Sequence, residues 1–348
     1  MMQESFLALT HLYLSSSYES VPNLPDSFLG GSAPRLRSLR LIRIPFPALP
    51  KLLLSANDLV VLEFWIIPHS GYISPKAMVT CLSSLTRLER FQLYFKSPRS
   101  RPERPSRRLS SLARIDLPAL TRFEFRGVNE YIEDLVARIN APLLVDIRVS
   151  FFNQLLFDIS ELAQFIDRGE FKVRHATVVF DDDLAWVGFF PTEGIVDRTA
   201  PRISISSTQS EWQLSSMAEV CNSFSSHLRL SSLERLDILT FRSPEDWNDD
   251  MENIQWVELL QPFTAVKDLF LDEDLALRLP RALQELTDEL STEVLPALQT
   301  IYIEVVEEYL LPGAVKEAIR SFIAARQRSG NSVAVQSWQL DWGKYEWF

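Results

Sequence analysis

The stretch Pro118-Ala119-Leu120-Thr121-Arg122-Phe123-Glu124-Phe125 decides the fold of this chain. An opening Leu120 is followed after two variable residues by Phe123, and after one more by Phe125. Apolar and variable residues therefore alternate over the second half of the stretch. Alternation of this kind predicts a β-strand with one buried face and one face turned towards solvent.

The same spacing recurs along the chain in nine clear copies and two weaker ones. The clear copies are Leu9/Leu12/Leu14, Leu36/Leu39/Leu41, Leu59/Leu62/Phe64, Leu88/Phe91/Leu93, Leu120/Phe123/Phe125, Leu144/Ile147/Val149, Leu233/Leu236/Ile238, Val266/Leu269/Leu271 and Leu298/Ile301/Ile303. The weaker copies are Val173/Ala176/Val178 and Ala200/Ile203/Ile205. Successive opening positions lie 23 to 33 residues apart. A repeat near this length with this strand pattern is typical of leucine-rich repeats.

We therefore predict an α/β fold, a leucine-rich-repeat solenoid in the form of a horseshoe. A parallel concave sheet would be backed by irregular helices on the convex side. Apolar residues near helical spacing predict those helices over 74–87, 129–139, 159–167, 210–227, 253–263, 279–290 and 314–327. Because a repeat unit contacts only its neighbours, we expect one domain over 1–348 with about eleven irregular repeats.

Composition is that of an ordinary globular protein. The chain has 348 residues, of which 46% are hydrophobic and 23% are charged, enough to build a large core. Its two cysteines are too few for a disulfide framework. Residues 1–14 lack the basic opening of a secretory signal, and no apolar run approaches the length of a membrane span. We expect a cytoplasmic or nuclear protein, or one found in both compartments, with no membrane partner.

Charge is unevenly distributed along the chain. Residues 1–150 hold 19 Lys and Arg against 13 Asp and Glu, a net of +6, whereas residues 151–348 hold 16 against 33, a net of −17. A solenoid separates its two ends in space, so this asymmetry could steer a charged partner. Two differently solvated surfaces without a partner are an equal alternative.

Among the segments that depart from the repeat, two carry a distinct prediction. Residues 96–108 contain six basic residues, three prolines and three serines with no apolar side chain, which predicts a disordered basic loop insertion. Residues 331–348 end in Trp338, Trp342, Tyr345, Trp347 and Phe348. Since a terminal repeat exposes an apolar cross-section, we interpret this segment as an aromatic C-terminal cap.

Candidate protein-binding residues follow from strand geometry, because the variable positions of each copy should point into the concave space. Arginine and aromatic side chains are those that most often dominate protein interfaces. The candidates of this type are Trp65, Arg90, Tyr94, Arg122, Arg126, Arg148, Arg235, Phe270 and Tyr302. The alternative is that such residues only satisfy one another, as a salt-bridged ladder of Arg122, Glu124 and Arg148 would.

Catalytic, metal and cofactor motifs are not found in the sequence. The four histidines are scattered, no glycine motif suits a phosphate, and neither cysteine lies in a nucleophile signature. The acidic run Asp181-Asp182-Asp183 is more typical of a solvated loop than of a metal site. We therefore expect no enzymatic activity, no metal and no cofactor.

A recurring Ala/Leu-Pro-x-Leu signature stands at 33–36, 117–120, 141–144 and 295–298. Together with the irregular repeats and the basic insertion, it resembles the leucine-rich-repeat region of the large fungal F-box family. In that family an amino-terminal F-box binds the Skp1 adaptor of a cullin ubiquitin ligase, and the repeats hold the substrate. The resemblance implies a substrate-recognition region of an SCF-type receptor. We expect a Skp1-type adaptor as partner only if an F-box is supplied outside this chain, because nothing before Leu9 offers its helices.

Two other functions remain open. One is a leucine-rich-repeat scaffold or small-GTPase regulator without any ubiquitin-ligase role. The other is binding of nucleic acid through the basic residues of 96–108. That loop lacks interleaved aromatic residues, and the acidic second half would repel a phosphate backbone, so we expect no nucleic-acid partner.

Overall fold

The fold is taken from a computed structural model that describes residues 6–17, 24–25, 27–45, 49–98, 114–153, 158–169, 171, 173–191, 200–225, 230–241, 253–284, 294–304, 313–328 and 330–339. The chain divides into two compact units. The first comprises Met1–Gln154 with Asp158–Glu170, and the second comprises Leu155–Phe157 with Phe171–Phe348.

The first unit alternates strands with short helices. Its strands are β1 (His11–Ser15), β2 (Ser38–Ile42), β3 (Val61–Ile67), β4 (Arg90–Phe95), β5 (Ile115–Asp116), β6 (Arg122–Gly127), β7 (Ile139–Asn140) and β8 (Asp146–Phe152). Its helices are α1 (Leu49–Leu53), α2 (Pro75–Leu82), α3 (Asn129–Val136) and α4 (Ser160–Asp167). Strands β1, β2, β3, β4, β6 and β8 pair in that order, each parallel to the next, and β5 and β7 form a separate pair.

The apolar positions of the repeat lie in register across these strands. The row through the middle of the sheet is Leu12, Leu39, Leu62, Phe91, Phe123 and Ile147, all buried. Phe91 and Phe123 stack with ring centroids 5.4 Å apart, and Phe123 meets Phe165 of α4 edge to face at 6.2 Å. This face of the sheet therefore packs against the helices, and burying each side chain contributes about 1.5–3 kcal/mol.

The second unit contains the remaining elements. Its strands are β9 (His175–Phe180), β10 (Leu184–Phe190), β11 (Arg202–Ser206), β12 (Arg235–Thr240), β13 (Asp268–Leu271), β14 (Thr300–Glu304) and β15 (Ala334–Trp338). Its helices are α5 (Ser210–Phe224), α6 (Asn253–Leu260), α7 (Glu273–Gln284) and α8 (Gly313–Arg328). Phe189 and Phe180 contact Phe224 of α5 and Trp256 of α6, so here too the apolar face meets helices.

The expectation of a wholly parallel sheet is wrong in this unit. Strands lie in the order β11, β10, β9, β12, β13, β14 and β15, and β10 is antiparallel to both of its neighbours. The acidic run 181–183 turns the chain between β9 and β10, with the Asp181 backbone N–H donating to the Leu184 carbonyl at 2.8 Å. Aspartate is frequent in such turns because its side chain accepts from nearby backbone groups, as Asp181 Oδ1 does from Asp182 N at 2.8 Å.

All eleven predicted strands are present, and each begins two residues after the opening apolar residue of its copy. Helix α7 differs from the prediction, because it begins at Glu273 instead of near residue 279. The carboxylate of Asp272 accepts the backbone N–H of Leu275 at 2.8 Å and so caps an earlier start.

The two irregular segments are described only in part. Residues 99–108 of the basic insertion and 340–348 of the aromatic terminus lie outside the described residues. Within 331–339 the chain forms β15, parallel to β14, an added strand that the repeat did not predict. Across the part of the chain that can be described, no helix is long and apolar enough to cross a membrane.

Candidate functional site

The sheet of the first unit has a second face, formed by the residues that alternate with the buried apolar row. We call the part of it on β2, β3, β4, β6 and β8 the arginine face. Its residues are Arg40, Glu63, Trp65, Arg90, Gln92, Tyr94, Arg122, Glu124, Arg126, Asp146 and Arg148. Six of the nine predicted site residues belong to it.

Register places opposite charges on neighbouring strands. One row across the sheet is Arg40, Glu63, Gln92, Glu124 and Arg148. The row before it contains Arg90, Arg122 and Asp146 on β4, β6 and β8. Cross-strand partners lie close enough for their side chains to interact, so the two rows together form an ionic network.

The carboxylates of this network are buried, which corrects the expectation that the variable positions face open water. Glu63, Glu124 and Asp146 are 5%, 3% and 5% exposed. Arginines from the same or an adjacent strand cover them. For Glu63, Arg40 Nε lies 3.0 Å from one oxygen and Arg90 Nη1 lies 3.5 Å from the other. A buried charge requires such partners, since burial without them costs several kcal/mol.

Arg122 stands at the centre of the network. It forms ion pairs with Glu124 on its own strand and with Asp146 on β8, the latter at 3.2 Å from Nε to Oδ2. Arg148 approaches the other oxygen of Asp146, also at 3.2 Å. Burial raises the pKa of Asp146, and the charges of Arg148 and Arg122 oppose that shift. Of the salt-bridged ladder that the sequence suggests, the pair of Arg122 and Glu124 is present, and Arg148 pairs with Asp146.

Trp65 and Tyr94 form an aromatic pair beside the arginines. Their ring centroids lie 4.7 Å apart, and the Trp65 indole N–H donates to Gln92 Oε1 at 3.1 Å. The Tyr94 hydroxyl donates to Glu124. Burial, with the nearby Glu124 charge, raises the pKa of Tyr94. Both rings are half-buried, so each is held in place while part of its surface faces solvent.

A β-bulge lies next to Trp65. The register between β3 and β4 shifts between Phe64 and Ile67, and Ile66 has a φ of 56°. A positive φ is costly for a β-branched residue, and bulges re-aim the side chains beside them. The indole of Trp65 is thus oriented by a local departure from the regular strand.

Arg126 differs from the other arginines of this face. It is exposed, and its guanidinium lies 5.5 Å from the ring centroid of Phe152. Among the described residues, no carboxylate lies within ion-pair distance of it. Its charge is therefore directed to solvent.

The remaining three predicted residues, Arg235, Phe270 and Tyr302, lie in the second unit, where their side chains contact other residues of the same unit. Arg235 donates to both oxygens of Asp237, at 2.8 and 3.2 Å, and its guanidinium lies 3.7 Å from the centroid of Phe270. Phe270 stacks on Tyr302 at 4.2 Å and meets Trp338 edge to face at 5.0 Å. Because Phe270 is only 9% exposed, it offers little surface to a partner.

Sequence reasoning missed two parts of this site. Arg40 was not selected, although the second copy places it at a variable position. Glu63, Glu124 and Asp146 stand at variable positions, for which the pattern predicts exposure to solvent and not burial. The available signal was that these residues are acidic while neighbouring copies carry arginines at variable positions. That pattern indicates ion pairs between strands.

The described residues include no group of three His, Cys, Asp or Glu side chains that could hold a metal ion. The chemistry of the arginine face is instead that of recognition, since guanidinium groups bind carboxylates and aromatic rings bury apolar surface.

Comparisons with known proteins find matches among solved structures alone. No family model matches the chain, and no curated protein matches it. Among solved structures, the chain is similar to the leucine-rich repeat-containing protein LegL7 from Legionella pneumophila, with 14% identity, a TM-score of 0.33 and 90% of each chain covered.

Proposed function

We propose that this chain is a leucine-rich-repeat solenoid that binds another protein on the arginine face and catalyses no reaction. The observation that carries the proposal is the ordered set of arginine and aromatic side chains on the side of the sheet away from the helices. Partly exposed Arg, Trp and Tyr side chains held by buried partners have the character of interface hot spots.

The dimensions of the face favour a protein segment over a small molecule. Neighbouring strands lie about 4.8 Å apart, so the five strands from β2 to β8 span about 20 Å. Small-molecule sites are closed clefts that bury most of the ligand. A row of side chains across five strands suits an extended peptide or a helix of a partner.

A finer version of the proposal is that the chain recognises substrates for an SCF-type ubiquitin ligase. Its support is the Ala/Leu-Pro-x-Leu signature and the resemblance to the fungal F-box family. A Skp1-type adaptor would take part through an F-box outside this sequence, in the cytoplasm or nucleus. The alternative is a scaffold or a small-GTPase regulator with no ligase role.

Site-specific photo-crosslinking tests the binding proposal. Benzoylphenylalanine replaces Ser38, half-buried in the same row as Arg90 and Arg122, and in a matched control replaces Thr80, exposed on α2. We expect a protein adduct from the Ser38 position that is weak or missing from the Thr80 position. Equal labelling from both positions, or none from Ser38, would contradict the proposal. A fall in ubiquitination of the crosslinked partner when this chain is deleted would favour the ligase version, and unchanged ubiquitination the scaffold version.

A further inference from the structure

We propose that the arginine face selects an acidic segment of its protein partner, one that also carries an apolar side chain beside its carboxylates. This inference rests on the proposed function and adds the chemistry of the partner. It follows from which charges of the face reach solvent, how the guanidinium groups are held, and what lies next to them.

The positive charges of the face reach solvent and the negative charges do not. The side chains of Arg40, Arg90, Arg122 and Arg148 are 44%, 41%, 32% and 30% exposed, and Arg126 is exposed as well. The three carboxylates that they cover are almost fully buried. The face thus presents five cations to solvent against three buried anions, so an approaching partner meets a net positive surface.

The buried carboxylates also orient the arginines. Glu63 and Asp146 contact the Nε atoms of Arg40, Arg122 and Arg148 at 3.0, 3.2 and 3.2 Å. A guanidinium group has further N–H donors on its terminal nitrogens, in a geometry that matches a carboxylate. One of those of Arg122 already contacts Glu124. Because the buried carboxylates already hold these guanidinium groups in place, the arginine side chains lose less conformational entropy when a partner binds.

Arg90 and Arg122 are direct cross-strand partners on β4 and β6. Like charges placed directly opposite destabilise a sheet. Glu63 and Glu124 offset this repulsion from the two sides, and a carboxylate of the partner placed above the pair would offset it further. The repulsion is thus a specific reason for this face to prefer an anion.

Trp65 and Tyr94 supply the apolar part of the surface next to these arginines. An acidic segment with an apolar or aromatic side chain would use both parts. A nucleic acid would meet the same arginines, but the chain carries a net charge of −11, which disfavours a long phosphate backbone. We therefore favour a protein segment.

The test is fluorescence anisotropy with the full chain and a labelled peptide of about twelve residues, long enough to cross the face. The peptide alternates Glu and Ser around one central Leu, and its counterpart replaces every Glu with Lys. The variant Arg40→Gln/Arg126→Gln removes two cations while Arg90 still covers Glu63. The matched control Arg35→Gln/Arg37→Gln removes two exposed cations from the turn before β2.

We expect the acidic peptide to bind and the lysine peptide not to bind. The affinity should fall about tenfold or more in Arg40→Gln/Arg126→Gln and should weaken as salt is raised, because exposed charges are screened. The control variant should change affinity by less than about twofold, as expected for a surface change away from the site. Unchanged thermal unfolding of both variants would show that the fold is retained.

Other outcomes would overturn the inference in distinct ways. Equal binding of both peptides, or no loss in Arg40→Gln/Arg126→Gln, would exclude selection of acids by this face. If a single-stranded oligonucleotide binds more tightly than the acidic peptide, and its affinity also falls in Arg40→Gln/Arg126→Gln, the face would be assigned to nucleic acid. Dimers that dissociate in the variant would assign it to a second copy. If the acidic peptide fails while the Ser38 position still crosslinks a protein, the proposed function stands and this inference does not.

Discussion

Glu133 on α3 caps the next helix, α4, by accepting the backbone N–H of Leu162 at 2.8 Å. Its second oxygen accepts the N–H of Glu161 at 2.9 Å. Helix α4 has no side-chain cap of its own, since Ile159 stands at its N-cap position. The helix of one repeat thus satisfies orphan donors of the helix in the following repeat, which couples the two.

This cap predicts a pH dependence of stability. Burial raises the pKa of Glu133 to about 7, against the two N–H donors that favour the charged form. The folded state therefore retains a proton that the unfolded state releases, so stability is full below the unfolded pKa and is lost as pH rises through about 7. We expect Glu133 to lower the free energy of unfolding by an amount on the order of 3 kcal/mol as the pH rises from about 4.5 to about 7.

Urea denaturation of Glu133→Gln across this pH range checks the prediction, and the variant should show a smaller loss of stability than the parent. The other carboxyls whose pKa burial raises, among them Asp272 to about 7 and Asp146, should supply the loss that remains. Glu317→Gln, which removes a carboxylate from an exposed position on α8, is the control. Identical pH profiles for Glu133→Gln and the parent would show that this carboxyl has no such role.

The aromatic core of the first unit predicts a large effect of Phe123→Ala. Phe123 is buried and contacts both Phe91 and Phe165, so its loss leaves a cavity between strand and helix. We expect the free energy of unfolding to fall by about 3–5 kcal/mol. Leu143→Ala, at a side chain that is 57% exposed, should change it by less than about 0.5 kcal/mol. Comparable losses in the two variants would be inconsistent with this core.

The ionic network predicts that Arg122 and Arg126 differ in their contribution to stability. Arg122→Ala removes a partner from both Glu124, which retains Tyr94, and Asp146, which retains Arg148. We expect the free energy of unfolding to fall by about 1.5–3 kcal/mol. Arg126→Ala should cost less than about 0.5 kcal/mol, because its side chain is exposed. Chemical denaturation of both variants decides the matter, and a neutral Arg122→Ala would argue against the network.

The contact of Trp338 with the second unit predicts a graded response. Its indole N–H donates to the Leu271 carbonyl at 3.2 Å while its ring meets Phe270. Trp338→Phe should lose the hydrogen bond, about 1 kcal/mol, and Trp338→Ala should lose the ring contact as well. The midpoint of thermal unfolding should therefore be highest for the parent, lower for Trp338→Phe and lowest for Trp338→Ala. Equal midpoints for all three would show that β15 does not stabilise this unit.

Local pattern was sufficient to locate eleven of the fifteen strands in the described residues, because burial of one face depends only on the alternation of side chains within a few residues. Strands β5, β7, β10 and β15 were not predicted. Leu120, Phe123 and Phe125 illustrate this, since all three are buried and β6 begins two residues after the first of them. The two weak copies were found by the same alternation. Most of the helices were predicted by their own apolar spacing, whereas α1 was not predicted and α7 begins earlier than predicted.

The amino-acid sequence by itself determined the positions of the eleven repeat strands and which side chains share each of their faces, because both follow from the two-residue period of a strand. Only the tertiary structure decided that β10 enters antiparallel between β9 and β11, and that Glu63, Glu124 and Asp146 lie buried beneath arginines. Those outcomes depend on which strands become neighbours, and the covering arginines of Glu63 stand 23 and 27 residues away along the chain. Pairing of β2, β3 and β4 brings these arginines to Glu63, and the alternation of residues within one strand does not specify which strands pair.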